Sequence, residues 1–431
     1  MNIGAVTREV YFAFLLTLVC GFSPYSQTQT YTVLHNFSGG ADGAYPYAGI
    51  TIDRAGNLLG TASGGGRGYG TVFKLKYSPA GYTLGLLYSF TGGGDGAYPY
   101  NGVIVGSYGI LYGSTYSRGG SGCGGSGCGT VFTLRPPATF CRSVLCPWME
   151  TVLYDFMGGS DGSEPTQGTN VIFDQMGNIY GTTVSGGAYG QGTVYKLTRS
   201  GGGWTESVIH TFGAPGDGAQ PLHNVILDTS GNLYGTTSYG GANGYGVVFQ
   251  LVPSGSGWTE NILVSFSLSG SAGGVPFAGL LIDQSGNLYG ATSARASSGG
   301  PPFGYGGGGT VFELMPSGGN WTLKVLYSFP FPGGGGYYCG PYGNLVMDAA
   351  GDLYGITYSD GAYGYGSVFK LTPASGQWTY TSLYDFCSDG WPCSDGALPS
   401  GDLTMDANGN FYGTASRGGT NTDGVVWKIT P

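Results

Sequence analysis

The chain has 431 residues and a formal charge of −9, from 15 Lys plus Arg against 24 Asp plus Glu. So small a basic content excludes a nucleic-acid partner, which needs a cationic face to neutralise phosphates. Glycine reaches 89 residues and aromatics 14%; the glycines recur at fixed places between apolar runs, which describes a turn-rich all-β protein rather than a disordered one.

Residues 1–28 differ from the rest. Arg8 precedes an apolar run from Val10 to Cys20. The run is too short to cross a bilayer and fits the core of a signal peptide. It predicts a secreted, cell-surface or periplasmic bacterial protein with no membrane span. The alternative is a lipid anchor at Cys20.

From Tyr31 the sequence reads "YTVLHNF", and six later segments resemble it: "YTLGLLYSF" from Tyr82, "WMETVLYDF" from Trp148, "WTESVIHTF" from Trp204, "WTENILVSF" from Trp258, "WTLKVLYSF" from Trp321 and "WTYTSLYDF" from Trp378. Each of the six follows a "GTVF"-like segment; these start at Gly70, Gly129, Gly192, Gly246, Gly309, Gly366 and Gly424. A third marker precedes each "GTVF": "DRAGNLLG" at Asp53, "DQMGNIYG" at Asp174, "DTSGNLYG" at Asp228, "DQSGNLYG" at Asp283, "DAAGDLYG" at Asp348 and "DANGNFYG" at Asp406, with only "GSYGILYG" from Gly106 in the second unit. The result is seven units, and repeats of this length point to a propeller or a solenoid.

Each unit contains four strand-like runs. The first is a short apolar run. An Asp-x-x-Gly-Asn hairpin follows, with Asp accepting backbone N–H groups and Gly in the left-handed region. Then come the "NLYGTT" run, a Gly-rich loop, the "GTVFKL" run, a tight turn and the aromatic outer run. A linker, with Asp-Gly in five of the seven units, leads to the next unit. Four antiparallel strands per unit predict a seven-bladed β-propeller over residues 29–431, with repeats ending near 90, 156, 212, 266, 329, 386 and 431. The seventh unit stops at its third strand, so Tyr31–Phe37 is expected to supply the fourth and close the ring, removing two aggregation-prone edges.

The pattern "GNLYGTT…GG…GTVFKL" resembles the GloVer tandem repeat of bacterial choice-of-anchor surface proteins, over about residues 31 to 431. The resemblance implies export and a propeller-like fold. It implies no activity and no catalytic residues.

Cys123 with Cys128, Cys141 with Cys146, and Cys387 with Cys393 lie close in sequence and predict three local disulfides in an oxidising compartment, leaving Cys339 over. The spacing does not suit a zinc site. No metal and no cofactor are expected.

Propeller topology puts the linkers and the Gly-rich loops on one face, the channel mouth. That face gathers Asp42, Asp95, Asp161, Asp217 and Asp395 with many tyrosines. Together they suggest acceptors and stacking platforms for a glycan or peptide ligand; the simpler reading of the aspartates is repeated turn chemistry. The fifth and sixth units depart from the repeat, at "SAGGVPF", "ARASSGGPPFGYGGGG" and "GGGGYYCGPYGN". Tyr305, Tyr337, Tyr338, Tyr342 and Phe303 are therefore the candidate ligand contacts. Near the start of the first strands, His223 replaces a residue that is usually small. Asn170, Asn224, Asn344 and Asp402 follow at the next position, against Gly49, Gly102 and Gly279. His223 with Asp402 or Asp217 is the candidate acid–base pair, provided they meet in space; a solvated channel histidine is the simpler reading. The expected protein is a monomeric exported binding module. The competing classes are a polysaccharide hydrolase or lyase with carboxylates at the mouth, and a structural surface protein without a ligand.

Overall fold

The computed structural model describes residues 29–137, 147–166, 170–296, 305–330 and 340–431. Seven antiparallel sheets follow one another in chain order, each with the strand order expected of a propeller blade. Blade 4 shows the pattern: Ile226–Leu227 innermost, then Leu233–Thr237, Val247–Ser254 and Gly257–Ser265 outermost. In blades 3 and 7 the entering linker adds a further short strand, Ser163–Pro165 and Ala397–Pro399. Among the described residues no helix is long and apolar enough to cross a membrane.

The ring closes as the sequence predicts. Thr30–Asn36 pairs antiparallel with Val425–Thr430, as the outer strand of blade 7. Tyr31 stacks on Tyr384 of blade 6, ring centroids 3.9 Å apart and ring planes nearly parallel, and its hydroxyl donates to the Asp395 carbonyl.

Two glycines of the repeat have definite packing reasons. In blade 4, a Cβ on Gly235 would lie 2.5 Å from Cζ of Phe249, its cross-strand partner. The "G" of "LYGTT" thus makes room for the "F" of "GTVF", the usual meaning of a glycine inside a strand. The "G" of "GTVF" itself has positive φ, +92° at Gly246. A Cβ there would meet the Thr237 carbonyl at 2.1 Å and Cδ of Pro276, from the next blade, at 2.8 Å. Gly70 packs in the same way on Pro99, Gly192 on Pro221, and Gly424 on Pro46 across the closure. In six of the seven linkers the proline is thereby locked onto the preceding blade; Gly309 meets the Thr292 carbonyl instead.

The residue before that proline is held in the left-handed region although it is not glycine: Tyr45, Tyr98, Glu164, Gln220, Val275 and Leu398 all have φ between 55° and 59°. Such a residue costs on the order of 1 kcal/mol or more. Here the N–H of each bonds a carbonyl of the preceding blade, as from Tyr98 to Tyr69 and from Val275 to Tyr245, each at 2.8–2.9 Å. Threonine hydroxyls add a second set of bridges at the inner strands, Thr61 to the Asn101 carbonyl, Thr236 to Ala278 and Thr414 to Ala48. The core is therefore a ring of inter-blade layers, each built around aromatics such as Phe249, Phe312, Phe369 and Trp427.

Candidate functional site at the channel mouth

The linkers pair with the loops between the second and third strands, Ala44 with Gly64 and Ala97 with Ser117, so both line the mouth. The second residue after the left-handed position, as at Tyr47, Tyr100 and Phe277, contributes an aromatic side chain to the mouth. Tyr47 lies 5.4 Å from Tyr100, centroid to centroid, and Tyr100 5.2 Å from Tyr116. On the far side Tyr342 lies 5.8 Å from Phe277 and 5.4 Å from Tyr358. Burial, together with Tyr358 and Tyr47, keeps the Tyr342 phenol protonated well beyond its ordinary range. Arg417 sits 4.2 Å from the centroid of Tyr45, a cation–π contact at the rim. The mouth is an aromatic cap with half-buried Tyr47, Tyr100 and Tyr116 facing outward.

Beneath the cap lies His223. It is 2% exposed, and both ring nitrogens lack a hydrogen-bond partner. Its ring meets Tyr342 edge-on at 6.3 Å, and burial lowers its pKa to about 4. Asp402 occupies the next level. It accepts the Asn344 backbone N–H at 2.8 Å and its side-chain amide at 3.2 Å, and burial pushes it up to about 7. From there the channel widens toward the opposite face as a cavity of about 610 Å³, lined by Ile50, Leu280, Leu345 and Leu403 below Asn170, Asn344 and Asp402. No hydrogen bond joins His223 to Asp402 or to Asp217, so the geometry does not assemble the candidate acid–base pair.

The five linker aspartates do not converge. Each accepts hydrogen bonds within its own linker and from its own outer strand: Asp42 from His35 and Ser38 N–H, Asp95 from Tyr88 and Thr91 N–H, Asp161 from Tyr154 and Met157 N–H, Asp217 from His210 and Gly213 N–H, Asp395 from Tyr384 and Cys387 N–H. Cys123–Cys128 and Cys387–Cys393 are disulfides, and both lie in segments of the mouth face. Residues 1–28 with the signal-peptide expectation, the pair Cys141 and Cys146, Cys339, Phe303, Tyr337 and Tyr338 lie outside the described residues. Tyr305 begins the strand Tyr305–Gly307, which pairs with Arg295–Ala296.

One set of groups escaped the sequence reading. Glu150, Glu206 and Glu260 occupy the same position on the outer strands of blades 2, 3 and 4, two residues after the tryptophan. Each turns toward the preceding blade's linker aspartate, and each has a buried Oε1 without a hydrogen-bond partner. Burial, reinforced by Asp95 and Asp155 at Glu150 and by Asp161 at Glu206, pushes these carboxyls up to about 7. Glu260 reaches the same range by burial and Asp217, opposed by His210 at 3.6 Å. The signal was present as "WME", "WTE" and "WTE" where other units have "YTL", "WTL" and "WTY". It was legible only once the outer strand was known to face a neighbouring linker.

Taken together, the sheets and the capped channel define a closed seven-bladed β-propeller. The chain belongs to the Gloeobacter/Verrucomicrobia repeat family, whose sequence profile matches residues 124–329 and 296–431. No curated protein matches it. Among solved structures it is similar to an oxidoreductase assigned as a glucose dehydrogenase from Thermus thermophilus, at 14% identity over 93% of this chain and 100% of that one, with a TM-score of 0.45. It is similar to a gluconolactonase of Xanthomonas campestris at 12% identity over 76% and 86%, TM-score 0.38. It is also similar to a protein of Lactobacillus plantarum at 12% identity over 84% and 98%, TM-score 0.47. None of these similarities bears on the activity of this chain.

Proposed function

We propose that the protein is an exported binding module that holds a glycan or an extended peptide across the aromatic mouth of its channel. The observation that carries this reading is the cap itself: Tyr47, Tyr100 and Tyr116 on one side, Phe277, Tyr342 and Tyr358 on the other, with Arg417 at the rim. Aromatic faces beside polar backbone suit sugar rings and peptide side chains. The rim is held by left-handed residues whose backbone is bonded on both sides, so it is ordered before a ligand arrives and little entropy is lost on binding. In this reading Tyr342 anchors the ligand, and Tyr305, Tyr337 and Tyr338 extend the contact on the asymmetric side. Asp42, Asp95, Asp161 and Asp395 hold the rim in place. Export is supported by the apolar run at Val10–Cys20 and by two disulfides, which persist in oxidising compartments.

Hydrolysis of a glycosidic bond normally takes two carboxyl groups about 5–10 Å apart across the bond. Among the described residues of the channel, the carboxyl that burial pushes up to about 7 is that of Asp402, and the linker aspartates accept hydrogen bonds within their own turns. The test is a glycan and peptide array with the parent protein and the variant Tyr47→Ala/Tyr100→Ala. Signals are expected to fall about tenfold or more, consistent with the loss of two stacking contacts, with melting little changed. A double variant that binds as the parent does removes the mouth from the reading. If Asp402→Asn stops turnover of a polysaccharide that still binds, an enzyme replaces the binding module.

A further inference from the structure

On the face away from the mouth, a cavity of about 680 Å³ opens between blades 1 and 2. The repeat supplies its own comparison. Elsewhere the tyrosine of "NLYG" donates to the turn aspartate, Tyr180 to Asp174 at 3.1 Å and Tyr234 to Asp228 at 3.2 Å. Its ring also reaches the next blade's tryptophan, Tyr234 to Trp321 at 6.1 Å. In blade 1 that residue is Leu59, so the phenol that would stand against Trp148 is missing. Asp53 takes the ammonium of Lys74 instead, at 3.1 Å.

Blade 2 departs at the same junction. The Asp and Asn of its turn are replaced by Gly106 and Ile110, and the tip is Tyr108, left-handed at φ 60° and 94% exposed. A left-handed, non-glycine residue whose ring is almost wholly in solvent gains nothing from packing, and such strain clusters at functional surfaces. Two departures from the repeat therefore meet in one groove, with Tyr108 at its lip and Trp148 in its wall. Exposed Arg54 and half-buried Lys74 sit against the single acid Asp53. A local excess of cations stands out in a chain of charge −9.

We propose that this groove binds an acidic saccharide, with a sugar ring stacked on Tyr108 and Trp148 and its carboxylate on Arg54. Stacking on a phenol and an indole needs a flat ligand with apolar C–H faces. The guanidinium offers the forked donor pair that a carboxylate takes bidentately. The Lys74–Asp53 pair supplies a donor and acceptors for ring hydroxyls. The site lies on the other face from the aromatic mouth and does not depend on a ligand there.

The experiment titrates the full-length protein with uronic-acid trisaccharides (galacturonate, glucuronate and mannuronate types), followed by tryptophan fluorescence and calorimetry, with the neutral hexose trisaccharides in parallel. The acidic sugars are expected to bind, at least one of them clearly better than its neutral counterpart. Arg54→Gln and Tyr108→Ala are each expected to weaken binding about tenfold. Both side chains are exposed, so melting should not move, and Tyr47→Ala/Tyr100→Ala should bind as the parent does. Neutral sugars binding equally well overturn the proposal. So do failure of every acidic trisaccharide to bind, unchanged affinity in both groove variants, or binding of acidic peptides in place of the sugars.

Discussion

Glu206→Gln is the cleanest single test of how the blades meet. At the junction of blades 2 and 3, Glu206 is approached by Asp161, which already accepts from Tyr154 and the Met157 N–H, and by the buried phenol of Tyr195 in its own blade. Among the described residues no cation is placed there. Burial and Asp161 raise its pKa from 4.5 to about 7. A carboxyl whose folded pKa lies above its unfolded value binds its proton more tightly when folded. Its contribution to stability is complete below about pH 4.5 and is lost as pH rises through about 7. Every tenfold gain in proton affinity on folding is worth about 1.4 kcal/mol, and partial exposure roughly halves the total, leaving about 1.5 kcal/mol. The amide mimics the protonated acid at all pH values. Glu206→Gln should therefore stabilise the protein by about 1.5 kcal/mol at pH 8 and change little at pH 4.5. The three junctions share no partner, so Glu150→Gln/Glu206→Gln/Glu260→Gln should gain about 4 kcal/mol at pH 8. Glu260 should contribute least, because His210 offsets its ionisation. Denaturation midpoints of parent and variants at both pH values measure the difference. Equal destabilisation at pH 4.5 and pH 8 would refute the reasoning, because it would mean that the carboxylate is ionised and holds the junction together.

Deleting residues 29–37 removes the outer strand of blade 7 and bares Val425–Thr430 with the buried Trp427; insoluble or concentration-dependent oligomers are expected in light scattering, and a monomer of unchanged melting would sink the latch. Gly246→Ala should cost several kcal/mol, because its Cβ would clash with the Thr237 carbonyl at 2.1 Å. Gly231→Ala, equally left-handed at φ +86° but with nothing within 4 Å, should cost only about 1 kcal/mol; similar melting points for the two would remove the Gly–Pro lock.

Much of the scaffold was readable because it is repeated. The recurring Asp-x-x-Gly hairpin and its one variant gave the blade count, and Asp228 does what the turn chemistry requires, accepting the Ser230 and Asn232 N–H groups at 2.8 and 2.9 Å. The N-terminal strand was legible because a ring with an unpaired edge is unfavourable. The linker aspartates followed the simpler of their two readings, since local hydrogen bonds between residues close in the chain are set by sequence. What could not be read was contact between units. The Gly–Pro lock joins Gly246 to Pro276, far apart in the chain and in different blades, and each partner alone looks like an ordinary turn residue. Nothing in the sequence separates Glu206 from an ordinary strand residue, because its neighbour Asp161 belongs to the preceding linker.

The channel makes the same point in sharper form. Comparison of the units set His223 apart as an exception, but its simpler reading as a solvated channel histidine fails, because the ring is buried. Its meaning depends on Tyr342, two blades away, which covers it and leaves its nitrogens without partners. A buried imidazole with both nitrogens unpaired is costly, by about 1–3 kcal/mol for the lost hydrogen bonds. The rest of the ring tolerates that cost because its stability is distributed over repeated junctions. The periodic residues therefore fix the frame, while the aperiodic ones, His223 and Tyr342 in the channel and Leu59 and Tyr108 in the groove, are where the frame departs from self-consistency. Substitutions at those positions leave the other blades' Gly–Pro locks and threonine bridges intact.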